Sequence, residues 1–301
     1  MQRLASPYVL LTLTVLFWAG NAVVGKHITT EVTPIQLAFW RWVLATAIVL
    51  PFGLPLVWRQ RALIRLHWRR LLLLSGLSVA TFNTLLYLAL QQSTVINVVT
   101  VNALAPAVIP LMAFLLFKDR VNRLQVTGLM LSVAGALVVI ARGDIQVLAG
   151  LAFNPGDLLA VVALLDWALY TVLVQRRTDG LRSLTFLTVT FIAGLILLTP
   201  FYVADLASAG GFEPDISNLM AILYVALFPS IAAYVCWNRA VGEVGATVAG
   251  QFLNLVPVFA AILAVLFLGE VIHLYHWIGL ALVFAGIALV ARGRRLPGAP
   301  V

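Results

Sequence analysis

The chain states one pattern twice, and the repeated unit holds an odd number of apolar runs. Val15-Leu-Phe-Trp18-Ala19 is answered by Leu164-Leu-Asp-Trp167-Ala168, and Asn102-Ala-Leu-Ala-Pro106 by Asn254-Leu-Val-Pro257. The segment from Gly128 to Gly135, running on to Ala141-Arg-Gly143, matches Gly279 to Gly286, running on to Ala291-Arg-Gly293. Pro51 is answered by Pro200. The offset is 149 residues between Trp18 and Trp167 and 151 between Pro106 and Pro257. A unit that crosses a membrane an odd number of times delivers its copy to the opposite face, so the second copy must sit inverted. Inverted repeats are the architecture from which alternating access is built.

The membrane itself is read from composition. Of the residues, 62% are hydrophobic and 10% charged, whereas soluble domains carry about 25% charged residues. A spanning helix needs about 20 apolar residues. Such runs fall near 8–28, 34–57, 71–91, 95–117, 124–141, 157–175, 184–203, 217–237, 246–268 and 274–291, which uses the whole chain. The expected fold is an all-α membrane protein of ten transmembrane helices in two inverted five-helix repeats. Residues 1–143 form the first, 144–156 an outer linker, 157–293 the second, and 294–301 a cytoplasmic tail.

The net charge of +8 marks orientation, not nucleic-acid binding. With the N-terminus inside, sixteen of the 19 Lys and Arg lie in inner segments. Only Lys26 and Arg142 lie outside, and Arg41 lies within a span. That asymmetry places both termini in the cytoplasm. The inner segment from Trp58 to Arg70 carries five arginines and reads as a loop that anchors orientation and attracts anionic lipid. Cys236 has no partner for an internal disulfide. The first span exceeds a signal-peptide core of about 7–15 residues, and its counterpart in the sixth span marks it as structural.

Smaller signals organise the rest. Gly150 and Asn154-Pro-Gly156 are turn chemistry in the linker, and Asp157 suits the start of the sixth helix. Gly128 and Gly135 lie two turns apart on one face, as do Gly279 and Gly286, which suits close packing of peripheral helices in lipid.

Pro106 and Pro110 in the fourth helix and Pro257 in the ninth remove backbone hydrogen bonds within the membrane, as packing kinks or as hinges. Polar and aromatic residues gather at mid-depth in matching helices of both halves. They are Trp18 and Asn21; Phe82, Asn83 and Tyr87; Thr100 and Asn102; Asp166, Trp167 and Tyr170; Tyr234, Trp237 and Asn238; and Gln251 and Asn254. Unpartnered polar groups are costly in hydrocarbon, so these faces are expected to turn inward around a central substrate cavity. Each residue taken alone also reads as interhelical packing. The halves differ at Phe17 against Asp166, Asn21 against Tyr170 and Asn83 against Tyr234.

Two charges stand apart. Arg41 lies about 10 Å into the bilayer, and Asp166 about 13 Å from the same face, at about 1.5 Å per residue. Their depths allow a salt bridge. Alternatively Arg41 holds a substrate carboxylate, and Asp166 an amine or a coupling proton. His27, His67, His273 and His276 have no ligand spacing, so no metal is expected, and no nucleotide-binding or metalloprotease motif is present. No cofactor is expected.

These residues resemble the EamA-type branch of the drug/metabolite transporter superfamily. Each unit opens on Phe/Asp-Trp-Ala and closes on Leu-x-Pro, an apolar run and an acidic residue (Asp119; Gly269-Glu270), followed by Gly-Leu-x-Leu-x-x-Ala-Gly. The first half departs from the Gly-Glu motif with Lys118-Asp119. The resemblance covers almost the whole chain and is closest to bacterial aromatic amino acid exporters. It implies a monomeric or weakly oligomeric inner-membrane carrier, often an exporter of amino acids or other small metabolites, with a different hydrophobic metabolite or a cationic drug as the alternative cargo. A channel would need a continuous polar stripe, and a membrane enzyme would need clustered acids or histidines. Neither pattern is present.

Overall fold

The computed structural model describes residues 6–28, 32–177, 180–213, 215–268 and 273–293, and every regular element among them is helical. The expected tail 294–301 and the Gly269-Glu270 motif lie outside the described residues.

The helices start where the sequence caps them. Helix α1 runs Pro7–Ile28 and α2 runs Pro34–Arg59. Thr33 caps α2 by accepting from the Gln36 amide, and Pro34 fits the first turn, where no amide partner is needed. The segment Trp58–Arg70, expected as a loop, is helical. Only Gln60 separates α2 from α3, which runs Arg61–Gln92 with a kink at His67. Arginine and leucine are strong helix formers, so loss of hydropathy marks the membrane boundary without ending the helix.

The predicted fourth span is broken into α4 (Val95–Asn102) and α5 (Ala105–Phe117), inclined by 41°. Helix α6 (Arg123–Ile140) begins with an Asn122–Gln125 capping box. A short helix, α7 (Ile145–Ala149), occupies part of the expected linker. Helix α8 (Pro155–Gln175) opens on a second capping box, Asn154 with Asp157. Then follow α9 (Ser183–Ala209), α10 (Ile216–Val244), α11 (Ala246–Gln251), a 3₁₀ turn at Phe252–Asn254, α12 (Leu255–Leu268) and α13 (Leu274–Arg292).

Among the described residues, eight helical segments are long and apolar enough to cross a membrane, and the bent α4–α5 pair makes a ninth. Helix α1 runs 22 residues, with a shorter apolar stretch from Pro7 to Asn21.

Two of the long helices contain a π-helical turn, α3 at Gly76–Thr81 and α10 at Ala226–Ala232. In α10 the cause is visible. Pro229 has no N–H to give Val225, and the Ser230 hydroxyl bonds that carbonyl instead, at 2.8 Å. In α3 the Thr81 hydroxyl lies 3.0 Å from the Gly76 carbonyl, again five residues back.

Helix α2 packs on α9, α3 on α8, and α1 on both α10 and α12. At the side, α6 and α13 meet through glycine. A Cβ on Gly128 would lie 2.6 Å from the Gly286 carbonyl oxygen, and one on Gly135 would lie 2.7 Å from that of Gly279. The lower-numbered glycine meets the higher-numbered one, so these two sequence-matched helices run antiparallel.

Candidate functional site

Helices α1, α3, α8 and α10 bring their mid-length aromatic residues to one place. The Trp18 and Trp167 rings meet edge to face at 5.2 Å, and Trp18 and Trp237 also lie at 5.2 Å. Trp167 further touches Phe82 at 4.9 Å, Tyr170 at 5.3 Å and Tyr234 at 6.0 Å. Trp42 of α2 and Phe191 of α9 close the far side against Tyr234. Tilted and edge-on pairs of this kind each contribute about 0.5–1.5 kcal/mol beyond area burial.

These residues, expected around a central cavity, pack ring against ring. Trp167, Tyr170, Tyr234 and Trp237 are buried, while Trp18 and Phe82 stay partly exposed. A cavity of about 460 Å³ sits between α2, α9 and α10, against Trp40, Leu44, Tyr202 and Phe212. Another of about 760 Å³ runs along α2 from Leu50 to Arg59.

Polar groups knit the cluster to the π turns. Trp18 Nε1 donates to the Pro229 carbonyl at 3.1 Å. The Tyr234 hydroxyl donates to the Ser78 carbonyl at 2.6 Å, which ties α10, just past its own π turn, to the π turn of α3. Tyr170 donates to Asn238 Oδ1 at 2.8 Å.

The expected Arg41–Asp166 salt bridge is not formed. Arg41 is 2% exposed and donates to Ser230 Oγ at 2.9 Å, Asn83 Oδ1 at 3.2 Å and the Tyr87 hydroxyl at 3.3 Å. Its guanidinium carbon also lies 5.2 Å from the Trp42 ring. All of these partners are neutral, and among the described residues no carboxylate lies within ion-pair distance of Arg41. Asp166 instead takes a 2.5 Å hydrogen bond from Thr81, and its Oδ2 is buried without a partner among the described residues. Both charges reach α3, but at different faces of it: Asp166 meets Thr81, whereas Arg41 meets Asn83 and Tyr87, and helical residues two apart do not face each other.

The remaining predicted residues divide. Asn83 and Tyr87 join the Arg41 site, and Asn21 is partly buried with an unpartnered Oδ1. The polar residues of the broken helices do not reach the rings. Asn102 bonds the Val98 carbonyl of its own helix, and Asn254 bonds Ser132 on α6. Gln251 donates to the Pro106 carbonyl at 3.3 Å, the group that Pro110 leaves without an amide partner. Pro106 lies in the first turn of α5, and Pro257 in the first turn after the 3₁₀ turn, so each sits beside a break in its helix.

Thr81 and Ser230 were missed. They are 149 residues apart, the spacing of Trp18 and Trp167, and that repeat of a hydroxyl was the available signal.

Outside the rings, a buried carboxylate fastens one end of α8. Asp157 accepts from Ser93, from Asn97 Nδ2 at 2.9 Å and from the Asn154 amide at 2.9 Å, tying the α3–α4 turn to α8. At the other end Arg176 pairs with Asp119 at 2.5 Å.

Apolar helices of spanning length, proline-broken spans and a polar, aromatic interior define a multi-pass membrane protein of transporter type. The model of the EamA-like transporter family matches residues 5–141 and again 154–292, and the chain belongs to that family. The uncharacterized transporter YyaM of Bacillus subtilis (strain 168) is 27% identical over 96% of this chain and 95% of its own. An uncharacterized transporter of Archaeoglobus fulgidus is 29% identical over 94% of this chain and 96% of its own. The uncharacterized inner membrane transporter YedA of Escherichia coli (strain K12) is 26% identical over 62% of this chain and 59% of its own. A solved crystal structure shares the fold, with a TM-score of 0.75 at 21% identity, over 94% of this chain and 95% of that one.

Proposed function

We propose that the chain is an alternating-access carrier that exports small hydrophobic metabolites, aromatic amino acids foremost, across a bacterial inner membrane. The single observation that carries this reading is the aromatic cluster beside Arg41, a buried cation whose described partners are all neutral. Rings stack on rings, and a guanidinium receives a carboxylate through two parallel hydrogen bonds. In this reading ten spans form two inverted halves with both termini in the cytoplasm, and the protein works as a monomer. The antiparallel glycine contact of α6 with α13 and the paired π turns support the inversion. Cargo enters from the cytoplasm, displaces the self-packed rings and leaves outside as the halves rock about the breaks at Pro106 and Pro257.

The test is a panel of radiolabelled amino acids in proteoliposomes, with and without a proton gradient. Saturable, exchangeable flux of phenylalanine and its apolar relatives is expected. Non-saturating conduction, or flux confined to other solutes, would overturn the reading. A cationic drug is the second reading, favoured by the unpartnered Asp166 Oδ2. It predicts flux of lipophilic cations and none of amino acids.

A further inference from the structure

Thr81 and Ser230 occupy matching places in the two halves and serve opposite charges. Each lies in or at the end of a π turn, each reaches the carbonyl five residues back, and each touches one of the two charged groups of the aromatic region. A hydroxyl can do both jobs because it holds one proton and two lone pairs.

At Ser230 the proton goes to the Val225 carbonyl at 2.8 Å, so a lone pair faces Arg41 Nε at 2.9 Å. At Thr81 the nearer acceptor is Asp166 Oδ1 at 2.5 Å, against 3.0 Å to the Gly76 carbonyl, so the proton faces the carboxylate. The same backbone irregularity therefore aims a cation in one half and an anion in the other. Tyr234, whose hydroxyl bonds the first π turn while its helix carries the second, stands between them. Neither charge is neutralised by a described opposite charge, and both keep capacity to bind. Arg41 Nη2 makes no hydrogen bond to a described residue, and Asp166 Oδ2 is buried and unpartnered. Partnerless charge is costly at membrane depth and marks a site whose partner arrives from outside.

We propose that the paired π turns form a bipolar recognition site, in which Ser230 positions Arg41 for a carboxylate and Thr81 positions Asp166 for an ammonium group. The cargo is then an amino-acid-like zwitterion with a hydrophobic side chain that the rings receive. This rests on the carrier reading above and names its substrate class.

Three probes that share one ring separate the ends: phenylalanine, phenethylamine without the carboxylate, and 3-phenylpropionate without the amine. In proteoliposomes the wild-type protein should transport phenylalanine at least about tenfold better than either, the ratio that one charged hydrogen bond supports. Arg41→Gln should erase the preference over phenethylamine, and Asp166→Asn the preference over 3-phenylpropionate. Ser230→Ala and Thr81→Val should each lower the matching preference in part, and they remain readable if a charge variant fails to fold. A monodisperse elution profile controls for folding. Equal loss for all three probes in every variant, or an unchanged preference, overturns the bipolar site and leaves amino-acid export standing. A wild-type protein that moves none of the three overturns both.

Discussion

Gly128→Ala in α6 is the smallest change with a large expected effect. The new Cβ would lie 2.6 Å from the Gly286 carbonyl oxygen, 2.8 Å from Val290 Cγ2 and 2.9 Å from Leu289 Cβ. Ordinary contact begins at 3.4 Å, so the carbonyl is about 0.8 Å too close, and backbone cannot rotate away as a side chain can. Helices α6 and α13 must separate along the whole seam, which also loosens the second glycine contact, at Gly135 and Gly279. Overpacking of this kind costs about 1–3 kcal/mol. At roughly 2–4 °C per kcal/mol, melting in detergent should fall by roughly 2–12 °C. Gly242→Ala in α10 supplies the internal control, since nothing lies within 4 Å of its added Cβ. That variant should gain about 0.5–1 kcal/mol from the lower backbone entropy of alanine. Fluorescence-detected melting of the purified protein reads both. A Gly128→Ala protein that melts with or above the wild type would refute backbone contact between α6 and α13.

Trp167→Ala removes a buried indole that touches five other rings, and should cost about 3–5 kcal/mol in stability and most of the aromatic transport. Full flux from a folded variant would remove the cluster from the pathway. Gln251→Leu strips the Pro106 carbonyl of its donor but also removes an unpartnered Oε1, so these opposed effects should leave a net loss of only about 1 kcal/mol in thermal unfolding. Asp157→Asn weakens a buried carboxylate that accepts from three groups, and should cost about 2–3 kcal/mol and speed amide exchange over residues 92–98. Asp119→Asn breaks a pair whose side chains are 36% and 45% exposed, so melting should change by about 0–1 kcal/mol and less in high salt.

The helices were legible because a membrane demands long apolar runs, and the glycine seam because two turns of helix return to one face. The aromatic cluster was legible for the same reason, as helical depth can be counted along the chain. Depth alone does not give the direction in which a side chain leaves its helix, which is why similar depth suggests a pair for Arg41 and Asp166 while the structure sets them against different faces of α3. The π turns escaped because one extra residue in a turn leaves the apolar pattern almost unchanged. Only Pro229 hinted at the second. The arginines between 59 and 70 read as a loop because hydropathy reports water, yet α2 ends on the first and α3 runs on through the rest.

Trp18, Trp167 and Trp237 form a triangle of indoles with sides of 5.2, 5.2 and 5.7 Å. At such separations their electronic transitions couple, and the asymmetric arrangement is expected to give an exciton couplet in circular dichroism, from the intense far-ultraviolet indole transition. Trp18 belongs to the first sequence repeat, and the other two belong to the second. A rocking motion between the repeats would lengthen two sides of the triangle and spare the third. If cargo drives the proposed rocking, two of the three couplings should fade together on its addition, an optical readout that needs no attached dye.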